Sequence, residues 1–219
     1  MAAKPKARQP LSRERILHAA LRLADEGGVE SLTMRKLGNV LGFEAMSLYN
    51  HVANKDDVLD GMLDLVLGES EPPSAREPWR ATIRSSAISV YRALRRHPWA
   101  GALLMSPAHI RPARLEYMDA LLGTLRNAGF PADTTYHAYH ALDAHISGFS
   151  LWQAGHSFDA ADLPDVAASF VRRFPLDRYP HLGEHFEQHV SEGAHHDVST
   201  FEFSLDLILD GLAKIREAC

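Results

Sequence analysis

The sequence predicts an all-α fold: an N-terminal three-helix unit containing a helix-turn-helix, followed by a larger C-terminal helical body. Three observations carry this. Apolar residues recur at helical spacing in every patterned segment, and no segment alternates as a strand does. The gaps between segments hold N-cap residues, Gly and Pro, the ordinary punctuation of helices. Two of the patterns are short and meet at a single glycine, Gly42.

Residues 1–11 are polar, contain Pro5 and Pro10, and lack periodicity. They read as a disordered arm whose Lys4, Lys6 and Arg8 either touch DNA or are merely solvated. Ser12 caps a first helix with Ile16, Leu17, Ala20, Leu21 and Ala24 inward, ending at Gly27-Gly28. Thr33 caps a second, with Met34, Leu37, Val40 and Leu41 on its apolar face. Gly42 then suits the positive φ often needed where a chain leaves a helix. A third helix of about a turn and a half follows Phe43, burying Met46 or Leu48 together with Val52. Asn54, with Asp57 three residues on, resembles a capping box and opens a fourth helix through Leu59, Met62, Leu63 and Val66.

The stretch 68–77 is a linker by composition, small, polar and containing Pro72-Pro73. Pro78 starts a long helix to about Arg96 that buries Trp79, Ile83, Ala87, Val90, Tyr91 and Leu94. Pro98 ends it, and a short apolar segment from Trp99 to Met105 follows, closed by Pro107. Pro112 begins a helix with Leu115, Met118, Leu121, Leu122 and Leu125 inward, ending before Gly129. Asp133 caps a helix over 134–154 whose apolar faces include Tyr139, Leu142, Ile146, Phe149 and Trp152. Next come a helix from Pro164 to Arg173 and a His-rich one over 180–190. Ser199 and Glu202 form a capping box for the last helix, where Phe201, Leu205, Ile208, Leu212 and Ile215 make a narrow seam.

Two short helices about a glycine-containing turn match a helix-turn-helix, which places its second helix in a major groove. An ordinary helical hairpin, a commoner structure, would show the same apolar pattern, and the residues alone leave both readings open. Thr33 and Arg35 open the first helix of the pair, while Tyr49, His51 and Lys55 surround the second and can donate to phosphate oxygens. Ser47 and Asn50 suit base edges, and Ala45 and Met46 suit a thymine methyl. The charge distribution agrees. The chain carries a net −5, yet residues 1–55 hold nine Lys or Arg against five acids, a net +4, leaving −9 on the rest. A basic end on an acidic body confines phosphate attraction to one face.

Composition sets further bounds. With 219 residues, 46% of them hydrophobic, the chain can bury a substantial core. No apolar run reaches membrane-span length and no signal-peptide core opens the chain, so no membrane partner and a cytoplasmic location are expected. The one cysteine, Cys219, excludes an internal disulfide and a multi-thiolate metal site.

The run LTMRKLGNVLGFEAMSLYNHVANKDDVLDGM resembles the DNA-binding domain of the TetR family of transcriptional regulators. The likeness is carried by Leu32-Thr33, Arg35, Leu37, Leu41-Gly42, Leu48-Tyr49, His51-Val52, Asn54-Lys55 and Leu59, without gaps. A weaker similarity through Trp79, His97-Pro98, Gly129-Phe130 and FEFSLDLILDGLAKI points to the branch containing the tetracycline repressor. The resemblance implies two domains, 1–67 for DNA with its linking helix and 68–219 for effector binding and dimerisation. It further implies a homodimer through the helices near 134–154 and 199–217, a palindromic double-stranded DNA operator, and a small-molecule effector that releases a repressor from it. The cavity would be lined by Met62, Val66, Ser86, Val90, Leu103, Leu104, Leu121, His145, Phe149 and Trp152. Leu104 stands where the tetracycline repressor has the imidazole for its drug-bound Mg²⁺. Trp152-Gln153 and Leu121 replace a carboxylate and an amide contact, so a different, largely apolar effector is expected.

Two other readings compete. A DNA-binding regulator without an effector would lack a ligand-sized pocket. An enzyme would need a motif this chain lacks: there is no GxSxG, phosphate-cradling Gly-rich loop or HExxH, and Asp143 and His145 are two apart on one helix. His137 with His140, and His181, His185 and His189, could bind Zn²⁺ or respond to pH, but no cysteine or fixed carboxylate supports them. No cofactor and no metal site are expected.

Overall fold

The computed structural model describes residues 10–74, 77–106, 109, 111–155, 169, 178–185 and 196–218. Within them every regular element is helical. The N-terminal arm with Lys4, Lys6 and Arg8, the expected helix from Pro164 to Arg173 apart from residue 169, His189 and Cys219 lie outside the described residues.

Helix α1 (Arg13–Gly27) begins where the Ser12 hydroxyl accepts the Arg15 amide at 3.2 Å. Its inner stripe is Ile16, Leu17, Ala19, Ala20, Leu23 and Ala24, and the expected Leu21 is only half-buried. After a 3-10 turn (Val29–Ser31), the Thr33 hydroxyl accepts the Lys36 amide at 3.1 Å and opens α2 (Met34–Leu41). Leu37 and Leu41 are buried, whereas Val40, expected on the apolar face, is 54% exposed.

Gly42 ends α2 in the left-handed region at φ 74°, and the Phe43 amide donates back to the Gly38 carbonyl at 2.9 Å. Gly38 is a second requirement. A Cβ there would stand 2.7 Å from the Phe43 carbonyl oxygen and 3.2 Å from the Ala45 nitrogen, both unyielding backbone. Only glycine lets α3 (Ala45–Leu48) cross α2 so closely. Leu48 and Val52 are buried and Met46 is 75% exposed, which settles which residue anchors this helix.

Helix α4 (Lys55–Gly68) is doubly capped. The Asn54 side chain accepts the Asp57 amide at 2.8 Å, and the Asp57 carboxylate accepts the Ala53 amide at 2.8 Å. The same carboxylate takes both guanidinium nitrogens of Arg13 at 2.8 and 2.7 Å, tying α1 to α4. Burial works against this charge, yet the Arg13 bond outweighs it and holds the Asp57 carboxyl at about 2.

In the C-terminal bundle, α8 (Ala132–Gly155) packs against α5 (Trp79–Arg96), α6 (Pro98–Leu104), α7 (Pro112–Asn127) and α9 (His196–Ala218). Helix α8 starts before the expected cap, so Asp133 lies inside its first turn. Helix α9 likewise starts at His196, placing Ser199 within it, and the Glu202 carboxylate accepts from Arg84 at 2.8 Å instead of capping. Its buried line is Phe201, Leu205, Leu209 and Leu212. Ile208 is half-buried and Ile215 exposed, so the expected seam twists out of the core toward its C-terminal end. Leu115 of α7, also expected inward, is exposed. Phe203 and Leu207 remain 66% and 59% exposed on the other side of α9.

Candidate nucleic-acid interface and effector chamber

The DNA-facing set predicted from sequence gathers around α2 and α3. Tyr49, Asn50, His51, Met46, Arg35 and Thr33 are exposed, while Ala45, Ser47 and Lys55 are half-buried. The Thr33 hydroxyl accepts the Lys36 amide as the helix cap, and its own O–H can still donate outward. Exposed apolar side chains at Met46 and Val40 beside hydroxyl, amide and imidazole donors form a surface of mixed chemistry, suited to a groove. Lys36 and Val40 of α2 are also exposed, with the Lys36 ammonium donating to Ser31 at 3.4 Å, and pattern reading had not placed either in the set. Behind it the Arg15 guanidinium lies over the Phe43 ring at 5.7 Å, bracing the turn from α1.

The predicted effector-lining residues come from helices that do meet. Met62 and Val66 of α4, Ser86 and Val90 of α5, Leu104 of α6 and Leu121 of α7 are buried, with Leu103 and Phe149 half-buried beside them. Trp152, near the end of α8, is 42% exposed and meets the Phe149 ring edge-on at 6.1 Å. His145 belongs to an aromatic group: its ring stacks on Phe201 at 4.6 Å, and its Nε2 lies 3.1 Å from the Phe201 carbonyl oxygen. Burial pushes its pKa down, with the carbonyl bond opposing, so the ring is neutral and Nε2 carries the proton. Phe201 in turn stacks on Tyr91 at 3.9 Å.

Polar groups also sit among these helices. Ser86 donates to the Glu71 carbonyl at 2.7 Å. Burial pushes the Tyr117 phenol up to about 12, the bond to Ser86 opposes this, and the nearby Asp143 carboxylate adds to it. Tyr139 is raised in the same way, against the pull of Arg114. Both phenols therefore stay protonated and can donate. Tyr117, Tyr139, Arg114 and Asp143 come from two helices, so no local motif announces them.

Polar ties join α4 to the C-terminal bundle. His109 Nδ1 lies 2.8 Å from Asp60, and Arg111 reaches Asp60 and Asp64 at 3.3 Å each. Among the described residues no group of three His, Cys, Asp or Glu could hold a metal ion, and no helix is long and apolar enough to cross a membrane. His181 and His185, one turn apart over 180–185, are both exposed.

Known proteins share this arrangement. Residues 16–62 match the family described as bacterial regulatory proteins, tetR family, and residues 71–216 match the tetracyclin repressor-like, C-terminal domain. An HTH-type transcriptional regulator of Saccharopolyspora erythraea is 34% identical over 201 residues, covering 86% of this chain and 84% of the relative. The HTH-type transcriptional repressor DrrR1 of Streptomyces coeruleorubidus is 30% identical over 92% of this chain and 77% of its own. The Streptomyces coelicolor TetR family protein ActR, solved in complex with actinorhodin, superposes with a TM-score of 0.74 at 25% identity, covering 94% of this chain and 96% of that one. These relatives are regulators of transcription and not enzymes. With both segments matched, the chain belongs to the TetR family of helix-turn-helix transcriptional regulators.

Proposed function

We propose that this regulator is a repressor that leaves its operator when a small organic effector enters the C-terminal bundle. The observation that carries the reading is the head itself, where a capped α2, a glycine-tight turn and an exposed α3 present Arg35, Ala45, Met46, Ser47, Tyr49, Asn50, His51 and Lys55 on one module. Residues 1–67 would read DNA and residues 68–219 would bind the effector and dimerise, in the cytoplasm. Two heads about 34–36 Å apart would meet successive major grooves of a palindromic duplex.

Exposed apolar side chains support the dimer. Helix α9 presents Phe203 and Leu207, and α8 presents Tyr136, Leu151 and Trp152 beside the small, exposed Ala141, Ala144 and Gly148. Small residues let two such helices approach closely, and burying the large ones is the expected gain. The effector is a largely apolar molecule, met by hydroxyl groups of Ser86, Tyr117 and Tyr139. ActR binding actinorhodin supports an organic ligand of that general kind. Leu104, Leu121 and Trp152-Gln153 offer no imidazole or carboxylate to a Mg²⁺–tetracycline chelate. Binding would shift the balance between two head spacings by its preference for one of them.

Fluorescence titration tests the effector half. Tetracycline with Mg²⁺ is expected to bind weakly and without metal dependence, and tight Mg²⁺-dependent binding would overturn this assignment. Anisotropy with duplexes from the chain's own upstream region tests the operator half: specific binding supports it, and indifference to sequence contradicts it.

A further inference from the structure

The reading head, the linking helix and the C-terminal bundle converge on one buried imidazole. His97 joins α5 to α6, and its side chain is only 7% exposed. Nδ1 lies 2.8 Å from Asp25 Oδ1, near the end of α1. Nε2 lies 3.1 Å from Glu69 Oε1, immediately after α4. A neutral imidazole has one N–H and one lone pair, so one of these contacts would set a lone pair against a carboxylate oxygen. Both contacts are attractive only when both nitrogens carry protons.

The two carboxylates are themselves held in place. The Trp99 indole donates to the same Asp25 oxygen at 2.8 Å, which fixes the carboxylate in place. Arg96 donates to Glu69 Oε2 at 2.9 Å through Nε. Burial works to raise Glu69, but its bonds from Arg96 and His97 outweigh that and keep it ionised. The charged groups facing the ring are therefore Asp25 from α1 and Glu69 from the end of α4, with Arg96 of α5 behind Glu69. With a neutral ring this group carries one uncompensated negative charge. A protonated ring cancels it.

Position gives the contact its consequence. His97 immediately precedes α6, whose far end carries Leu103 and Leu104 of the candidate chamber, about 10 Å away along the helix. Asp25 belongs to the helix that braces the head. A ligand that displaced α6 would carry the imidazole relative to Asp25. We propose that His97, as a doubly protonated imidazolium, is the positioning residue that holds the reading head against the effector bundle, so that operator affinity falls as this ring loses its proton. The affinity part rests on the operator reading above, and the protonation part does not.

The experiment has two arms on the full-length protein. Nitrogen-15 NMR of histidine-labelled wild type at pH 6 should show both His97 nitrogens protonated, assigned by loss of that signal in His97→Gln. The shifts of a neutral ring would overturn the proposal. In the second arm, anisotropy with an upstream-region duplex is followed from about pH 6 to 9, the range in which imidazoles titrate. Wild-type affinity should fall roughly 5- to 50-fold across it, the usual size of coupling between sites. His97→Gln and Asp25→Asn should start weaker and lose most of that slope. Either variant folding normally yet keeping the full wild-type slope would sink the proposal. If wild type bound no duplex at any pH, the operator reading would fail, and the nitrogen shifts would still decide the state of the joint.

Discussion

The reading head and the C-terminal bundle are both helical, yet their polar ties differ in reach. In the head most of the defining bonds span three to five residues, Ser12 to Arg15, Thr33 to Lys36, Asn54 to Asp57 and the Phe43 amide to Gly38, with the Arg13–Asp57 pair added as a long tie between α1 and α4. In the bundle they span many more, as when Arg84 joins Glu202 and Asp206, Tyr91 reaches Gln153, or His145 meets the Phe201 carbonyl. Short-range bonds form a unit whose shape is set by its own chain. Long-range bonds make a body in which each helix depends on where the others sit, as the proposed response to an effector requires.

Substitutions can test this difference, the largest effects first. Gly38→Val should abolish operator binding, because the new side chain meets the Phe43 carbonyl oxygen and α3 must move. Overpacking of this kind costs about 1–3 kcal/mol. Calorimetry should show the loss confined to the head, and an equal loss in the bundle would erase the contrast between the regions. Leu207→Asp should act in the opposite sense, leaving each subunit folded but monomeric by ultracentrifugation. Operator affinity would then drop roughly 100-fold or more, since two linked heads gain that much over one. An unchanged mass would show that the outer face of α9 is not the dimer seam.

Smaller effects sharpen the picture. Tyr49→Ala and Lys55→Ala should each weaken operator binding about tenfold, with Lys55→Ala also reducing the salt dependence by about one phosphate contact. Unchanged anisotropy curves would mean that the contacts are misassigned. Arg13→Ala should cost about 1 kcal/mol of stability, modest because the pair is partly exposed. Its pH dependence has a definite sign. Asp57 is held low at about 2, so the pair stabilises fully above the ordinary carboxylate range, near pH ~4, and that contribution disappears as pH falls through about 2. Thermal melts of wild type and variant should therefore converge in acid and separate at neutral pH.

The same difference in reach explains what the sequence made legible. Caps at Ser12, Thr33 and Asn54, the left-handed turn at Gly42, the end of α5 just before Pro98 and the proline start at Pro112 are local chemistry, and each stands where spacing put it. The exposed faces of α3 followed from the burial of Leu48 and Val52. Spacing failed where distant partners decide. Glu202 has the right offset for a capping box, but Arg84 on another helix claims it. Val40 and Ile215 fit an apolar stripe on paper, yet among the described residues no neighbouring helix covers them. Asp25, Glu69, His97 and Trp99 could not be linked by any motif, since the residues they join lie 28 to 74 apart.

One titration bears on the centre of the account: fluorescence anisotropy of the purified protein with labelled duplexes tiling its own upstream intergenic region, at about 50 mM salt, where phosphate contacts are strongest. The account predicts that one palindromic duplex binds two subunits far more tightly than random sequence, and that affinity falls steeply as salt is raised. Equal, weak binding to every duplex under those conditions would contradict it.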